Sequence, residues 1–115
     1  MVLTDTTNKG VHSVIYDIAP TNTALAAGIQ KAYTPAAPAG SHQTKPGFDA
    51  PGFGYLGPCP PKPDEHVYEF AIYALSVASL PGVNMNTAPA AAVTIIKANA
   101  DPFGSAMLTG KYKQL

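Results

Sequence analysis

The chain of 115 residues has little charge and almost no cysteine. Charged residues make up only 12% of it, about half the usual share in soluble domains. There is no arginine, and the lysines are balanced by an equal number of acidic residues, so the basic face of a nucleic-acid-binding protein is missing. The single Cys59 excludes an internal disulfide and a cysteine-rich zinc site. No apolar run is long enough to span a membrane.

The chain is rich in hydrophobic residues and in residues that favour loops. Hydrophobic residues make up 46% of it, which argues against disorder. Ten glycines and twelve prolines predict that loops form a large part of the fold. We assign residues 1–115 to a single domain. The N-terminus lacks the basic and apolar segments of a signal peptide, which favours the cytoplasm and leaves open the periplasm or secretion after signal removal.

Alternating hydrophobic residues predict a mostly β fold with one helix. The helix is expected over Ala88–Ala100, with Thr87 as its N-cap. The strand that starts at His66 is apolar at nearly every position, which predicts that both of its faces are covered. The four strands are expected at Val2–Thr4, Val11–Ile18, His66–Leu75 and, as a short final strand after the helix, Met107–Tyr112.

A long loop from Tyr33 to Pro63 separates the second strand from the third. Its prolines and glycines oppose regular structure. Its large apolar side chains need burial, so we expect the loop to be ordered. His42 lies among polar residues and is expected to be exposed. Cys59 is interpreted as a small buried residue, with a nucleophile as the less favoured alternative.

Two histidines begin strands at matched positions. His12 leads the strand face that continues with Val14 and Tyr16, and His66 leads the face that continues with Tyr68. If the two strands are neighbours, the imidazoles converge at the end of the sheet, where Asp5 ends another strand. Imidazole and phenol groups donate hydrogen bonds and a carboxylate orients imidazoles, so this set suits a small phosphoryl or carboxylate anion.

Other interpretations of these histidines stay open. A single histidine on an apolar strand face is more often a hydrogen-bonded structural residue than a ligand-binding one. Two histidines and one aspartate match a metal-binding triad, but the spacing does not require one. We expect no metal and no cofactor. The sequence contains no glycine-rich phosphate loop, nucleophile elbow or zinc motif.

Several motifs resemble one known family. GPCPP at 57–61 is followed by HVYEF at 66–70 and IYAL at 72–75, while HSVIYDI occupies 12–18 and LTGKY 108–112. This order is similar to that of the phosphatidylethanolamine-binding protein (PEBP) family, also called the Raf kinase inhibitor protein family, in its bacterial-type branch. The resemblance implies a β-sandwich without its N-terminal third. It therefore implies a homo-oligomer, or a missing N-terminal piece that completes the sandwich.

The same resemblance implies a pocket for phosphate-like anions or phospholipid headgroups. The chain departs from the family pattern at Ser13 and Val67, where a tryptophan and an arginine are usual, and the segment after Asp5 lacks the usual acidic, proline-containing sequence. These departures are expected to weaken or reshape the site. The positions that match the family's ligand-binding residues are Asp5, His12, Pro60, His66 and Tyr68.

We therefore expect non-enzymatic binding of a small anion or lipid headgroup at the end of the sheet. One alternative is a regulatory interaction protein that inhibits a protease or a kinase through the long loop. Another is an enzyme of small-molecule biosynthesis, in which His12 and His66 act as acid and base and Asp5 orients one of them.

Overall fold

The chain folds into one antiparallel sheet with a helix packed on one face. A computed structural model describes residues 1–115. The strands lie side by side in the order β3-β2-β1-β4-β5. The prediction of a mostly β fold with one helix is confirmed. The elements are β1 (Val2–Asp5), β2 (Gly10–Tyr16), β3 (His42–Gln43), β4 (Glu65–Leu75), α1 (Pro89–Ala98) and β5 (Ala100–Lys113).

The hydrophobic core lies between α1 and the sheet. Val2 at the centre of the sheet pairs with Val14 on one side and with Ala71 on the other. Burying an aliphatic side chain of this size stabilises the fold by roughly 1.5–3 kcal/mol. The buried members of the cluster are Val2, Val11, Val14, Tyr16, Leu80, Ala92 and Ile96.

The helix α1 is shorter than predicted and has a different N-cap. It begins at Pro89, whose missing N–H is not needed in the first turn, and the N-cap position is Ala88, which makes no side-chain cap. The hydroxyl of Thr87 instead accepts a hydrogen bond from the backbone N–H of Asn84 at 2.9 Å. The helix ends where Asn99 bonds back to Ile95. Its ten residues are too few to cross a membrane.

The loop between β3 and β4 runs alongside β2 and forms backbone hydrogen bonds with it. The backbone N–H groups of Thr44 and Gly47 donate to the carbonyls of Val14 and Val11 at 3.2 and 2.8 Å. That of Leu56 donates to the carbonyl of His12 at 3.2 Å. The loop is therefore tied to β2 at three points between Thr44 and Leu56.

The far side of the sheet is less covered. β5 has 14 residues and extends well beyond the predicted 107–112, because it pairs with β4 over Ser105–Lys113 and again at Ala100, while residues 101–104 have no partner on β4. It forms one edge of the sheet, since only β4 pairs with it. The prediction that both faces of β4 are covered is wrong at its C-terminal half, where the side chain of Ile72 is 55% exposed.

Candidate functional site

His12 is the extra residue of a β-bulge in β2. Thr4 pairs with Val11 and Leu3 pairs with Ser13, so His12 has no partner on β1. Val11 and Val14 both join the cluster under α1, although they are three positions apart. The bulge redirects His12 to the opposite face of the sheet, where its ring lies against Tyr68. The prediction that His12 shares a face with Val14 and Tyr16 is therefore wrong.

The two histidine-bearing strands are not neighbours. β1 lies between β2 and β4, so the predicted adjacency of these strands is wrong. β1 joins β2 in a hairpin on one side and receives β4 on the other, which no local pattern reveals. Asp5 pairs with Gly10 of β2 and with Tyr68 of β4. The carboxylate thus lies between the two strands that carry the histidines.

Asp5 holds His66 in a fixed orientation. Its Oδ2 accepts a 2.5 Å hydrogen bond from Nδ1 of His66, and its Oδ1 accepts bonds from the backbone N–H groups of Thr7 and Asn8 at 2.9 and 3.3 Å. Burial raises the pKa of Asp5, but these hydrogen bonds outweigh it and hold the pKa below its ordinary value. The carboxylate is therefore ionised, and because Nδ1 of His66 is the donor, Nε2 is left for other partners.

Tyr68 lies between the two imidazoles. Its ring centroid is 5.3 Å from that of His12, in an edge-to-face arrangement, and 6.4 Å from that of His66. The side chain is 5% exposed. Burial raises the pKa of Tyr68, and the charge of Asp5 raises it further. The phenol therefore keeps its proton and acts as a hydrogen-bond donor at neutral pH.

His12 carries a buried atom without a partner. Its Nδ1 lies 3.2 Å from the carbonyl oxygen of Leu56, and because a carbonyl only accepts, Nδ1 must carry the proton. Its Nε2 is buried and has no hydrogen-bond partner within the protein. Leaving such an atom unpaired costs about 1–3 kcal/mol, and the hydroxyl oxygen of Thr44 is buried without a partner in the same way.

The loop supplies an aromatic cover that the sequence prediction missed. The ring of Phe48 lies 4.5 Å from that of His12, centroid to centroid. A Cβ at Gly10 would collide with the Phe48 ring, so only glycine leaves room for it there. Phe48 lies in a segment without periodicity, so the sequence only indicated that its ring needs partial burial.

Sequence comparison identifies the family. A profile of the phosphatidylethanolamine-binding protein family matches residues 2–113. The chain belongs to the phosphatidylethanolamine-binding protein family. Membership of the PEBP family supports a ligand-binding or regulatory protein. No curated protein sequence matches the chain.

Two solved structures of PEBP proteins resemble this chain. Escherichia coli YbcL, described as a member of the mammalian PEBP family, is 28% identical with a TM-score of 0.82, over 99% of this chain and 70% of YbcL. A PEBP homologue from Chlamydia trachomatis is 22% identical with a TM-score of 0.67, over 98% of this chain and 69% of the homologue. The second likeness shows the PEBP fold alone.

The GPCPP segment borders the cluster in this PEBP chain. Pro60 is fully buried, and the backbone of Cys59 lies beside the Tyr68 hydroxyl. The Cys59 side chain is exposed, and its sulfur accepts a hydrogen bond from Nε2 of Gln114 at 2.9 Å. The prediction that Cys59 is buried is therefore wrong.

His42 belongs to a different part of the molecule. It is half-buried rather than exposed as predicted, because its ring stacks on Tyr33 at 4.8 Å and lies 5.5 Å from Tyr16. No three histidine, cysteine or acidic side chains come together to hold a metal ion. Four of the predicted site residues lie together in the structure: Asp5 bonds to His66, and Tyr68 lies between His66 and His12. The fifth, Pro60, is buried and comes directly after Cys59, whose backbone lies beside the Tyr68 hydroxyl.

Proposed function

We propose that the protein binds a small anion, carried by a phosphate or carboxylate group, without converting it. The proposed ligand-binding residues are Asp5, His12, Pro60, His66 and Tyr68. The observation that carries this function is the buried, unpartnered Nε2 of His12 beside an imidazole that Asp5 orients. All five side chains are nearly or fully buried, so the ligand group that enters must be small.

Proton uptake accompanies anion binding at this site. A neutral His12 that donates through Nδ1 presents only a lone pair at Nε2, and the same holds for His66. An anion needs donors, so each imidazole must gain a proton before it can bond to the anion. A protonated imidazole donates through both of its nitrogens, so the protonated form of each ring is the one that binds an anion. The Tyr68 hydroxyl adds a donor whose protonation does not change near neutral pH.

The charge of Asp5 does not prevent anion binding. Three N–H donors already surround the carboxylate, and the contact with His66 becomes an ion pair when that imidazole is protonated. Asp5 therefore offsets one of the two imidazolium charges and leaves the other for the ligand. Because the chain has no arginine, the anion is bound through imidazole and phenol donors alone at this cluster.

Ring signals of the three histidines test this function. Inorganic phosphate and phosphorylethanolamine are titrated separately at about pH 6 and about pH 8 while the imidazole resonances are followed by NMR. We expect the signals of His12 and His66 to move at the lower pH, and His42 serves as an internal control that does not move. A stronger response to phosphorylethanolamine than to phosphate would indicate a headgroup ligand.

Matched alanine variants complete this test. His12→Ala combined with His66→Ala should abolish the response while the rest of the spectrum stays folded, and His42→Ala should bind as the unchanged protein does. Absence of any shift at millimolar ligand, or an equal shift of all three histidines, would contradict anion binding at this cluster.

A second candidate is general acid–base catalysis, which the short Asp5–His66 hydrogen bond favours. In that case His66 acts as the base, Asp5 orients it, and His12 supplies the proton when its Nε2 is protonated. Phosphorus NMR separates the two functions. Phosphorylethanolamine that stays unchanged during prolonged incubation supports a binding protein, whereas release of inorganic phosphate that Asp5→Asn suppresses supports an enzyme.

A further inference from the structure

Nε2 of His12 is closed off from solvent as well as unpartnered. The imidazole packs against two rings, that of Phe48 at 4.5 Å and that of Tyr68 at 5.3 Å between centroids. On its other nitrogen, Nδ1 donates to the carbonyl oxygen of Leu56 at 3.2 Å. A ligand that reaches Nε2 must therefore displace part of this packing.

Phe48 is the part of the packing that moves at the lowest cost. Phe48 is 38% exposed, whereas Tyr68 is 5% exposed and lies on β4, which has a paired strand on each side. Leu56 is fixed to His12 by two hydrogen bonds, one through each of its backbone groups. A ring that already faces water loses less apolar contact on turning outward than an enclosed ring does.

The backbone around Phe48 leaves its ring free to turn. Backbone hydrogen bonds fix the loop at Gly47 and again at Gly54, at 2.8 and 2.9 Å. Residues 48–53, between these two points, make no hydrogen bond to the sheet. The one backbone bond within this segment joins the N–H of Ala50 to the carbonyl of Phe48 at 2.7 Å. The ring can therefore leave His12 without breaking a hydrogen bond.

The ring of Phe48 also fills the space over Gly10. Gly10 pairs with Asp5, so both residues face the side of the sheet that carries the histidine cluster. A Cβ added to Gly10 would collide with Cζ at the tip of the Phe48 ring. The ring therefore rests on the backbone of β2, two residues before His12, and occupies the space next to the carboxylate and the imidazole.

We propose that Phe48 is a gate that controls the access of an anion to His12. In the closed position the ring shuts Nε2 off from water and ligand, and the site opens when the ring turns outward. The anion as ligand rests on the proposed function, whereas the closure of Nε2 by Phe48 rests on the packing alone. Minor conformers are typically populated at about 0.1–10%, so removing the ring should make Nε2 about 10–1,000-fold more available.

Chemical modification of His12 tests the gate without any ligand. Diethyl pyrocarbonate acylates the unprotonated nitrogen of a neutral imidazole, and in His12 this is Nε2, because Nδ1 carries the proton. Mass spectrometry measures the rate at each histidine. Phe48→Ala should raise the rate at His12 by about 10–1,000-fold. The rate at the half-buried His42 should not change, and this rate reports any general loosening of the fold.

Gly10→Ala opens the same gate without removing the ring. Gly10 does not have a positive φ, so alanine fits its backbone, and the new methyl group displaces the end of the Phe48 side chain. The rate at His12 should rise, and the double variant should react no faster than Phe48→Ala. Phe53→Ala is the matched control, because it removes a ring of the same loop that packs on Tyr33 at 5.6 Å. It should leave the rate at His12 unchanged.

Titration with inorganic phosphate connects the gate to binding. Phosphate should move the NMR signal of His12 at a lower concentration in Phe48→Ala than in the unchanged protein, because apparent affinity scales with the open fraction. A modification rate at His12 that Phe48→Ala does not raise, or that Phe53→Ala raises equally, would overturn the gate. If phosphate moved no signal in any variant while Phe48→Ala still unmasked His12, anion binding would fail and the gate would stand.

Discussion

Leu3 and Leu108 lie in one row across the sheet but in opposite surroundings. Each pairs with Phe70, Leu3 from β1 and Leu108 from β5, so both point to the face opposite α1. Leu3 is 1% exposed and Leu108 is 70% exposed. The long loop reaches over the β1–β2 half, where Phe48 and Leu56 contact His12, and no segment of the chain covers the β5 side.

This contrast explains where the candidate site forms. Asp5, His12 and His66 are polar groups that the loop and the neighbouring strands remove from water. Burial makes their hydrogen bonds specific and leaves one imidazole nitrogen without a partner. On the β5 side, by contrast, apolar side chains such as that of Leu108 are exposed to solvent. The covered half therefore holds the buried polar cluster, whereas the open half exposes apolar side chains.

The largest difference in stability between the two halves is expected when Leu3 and Leu108 are each replaced by alanine. Leu3→Ala should lower the free energy of unfolding by about 2–5 kcal/mol, because it leaves a cavity in a closed part of the fold. Leu108→Ala should change the stability of the single chain by less than about 0.5 kcal/mol. Urea denaturation at low protein concentration measures both. Equal losses for the two variants would show that the β5 side is covered in solution.

A smaller effect is expected when the buried carboxylate loses its charge. Asp5→Asn should lower the free energy of unfolding by about 1–3 kcal/mol at neutral pH, because the bonds to His66, Thr7 and Asn8 weaken.

The lowered pKa of Asp5 also predicts how the stability of the Asp5→Asn variant changes with pH. Because the folded-state pKa of Asp5 is lowered, its contribution is fully present above its unfolded value of about 3.9 and is lost as the pH falls through the folded value. Asp5→Asn should therefore flatten the loss of stability in acid. Denaturation curves at several acidic pH values measure this, and parallel acid profiles for both proteins would contradict it.

The smallest effect is expected for the ion pair next to His66 on β4. Glu65 contacts Lys111 at 3.0 Å, but the two side chains are 49% and 67% exposed. Solvent screens such a pair, so Glu65→Gln should change the free energy of unfolding by no more than about 0.5 kcal/mol. Denaturation at low and high salt checks this. A loss as large as that of Asp5→Asn would mean that the pair is shielded from water.

Local patterns in the sequence were enough to find the elements and the members of the cluster. Alternating apolar residues place β1, β2 and β4 correctly, because each buries a face against α1 or the loop. Polar residues at the ends of apolar strands indicated Asp5, His12 and His66, and the structure brings these side chains together with Tyr68. Whether they bind a ligand stays a prediction.

Long-range contacts account for what the sequence could not show. β1 lies between β2 and β4 because it pairs with both of them. The sequence of one strand does not show which other strands it pairs with. The length of β5 was hidden because Asp101, Pro102 and Gly104 are usually residues that end strands; the strand continues past them to Ala100, which pairs with Leu75, although residues 101–104 themselves have no partner on β4. The bulge was hidden because β2 alternates regularly after His12.

The extra residue in β2 has a consequence for transplanting this cluster into another protein. A regular strand ties every second side chain to one face, so a histidine copied alone would turn towards the interior of its new host. The donor fragment must also bring the unpaired position, together with the glycine before it that makes room for an aromatic ring. The smallest portable unit is therefore a short irregular stretch of backbone rather than a set of side chains.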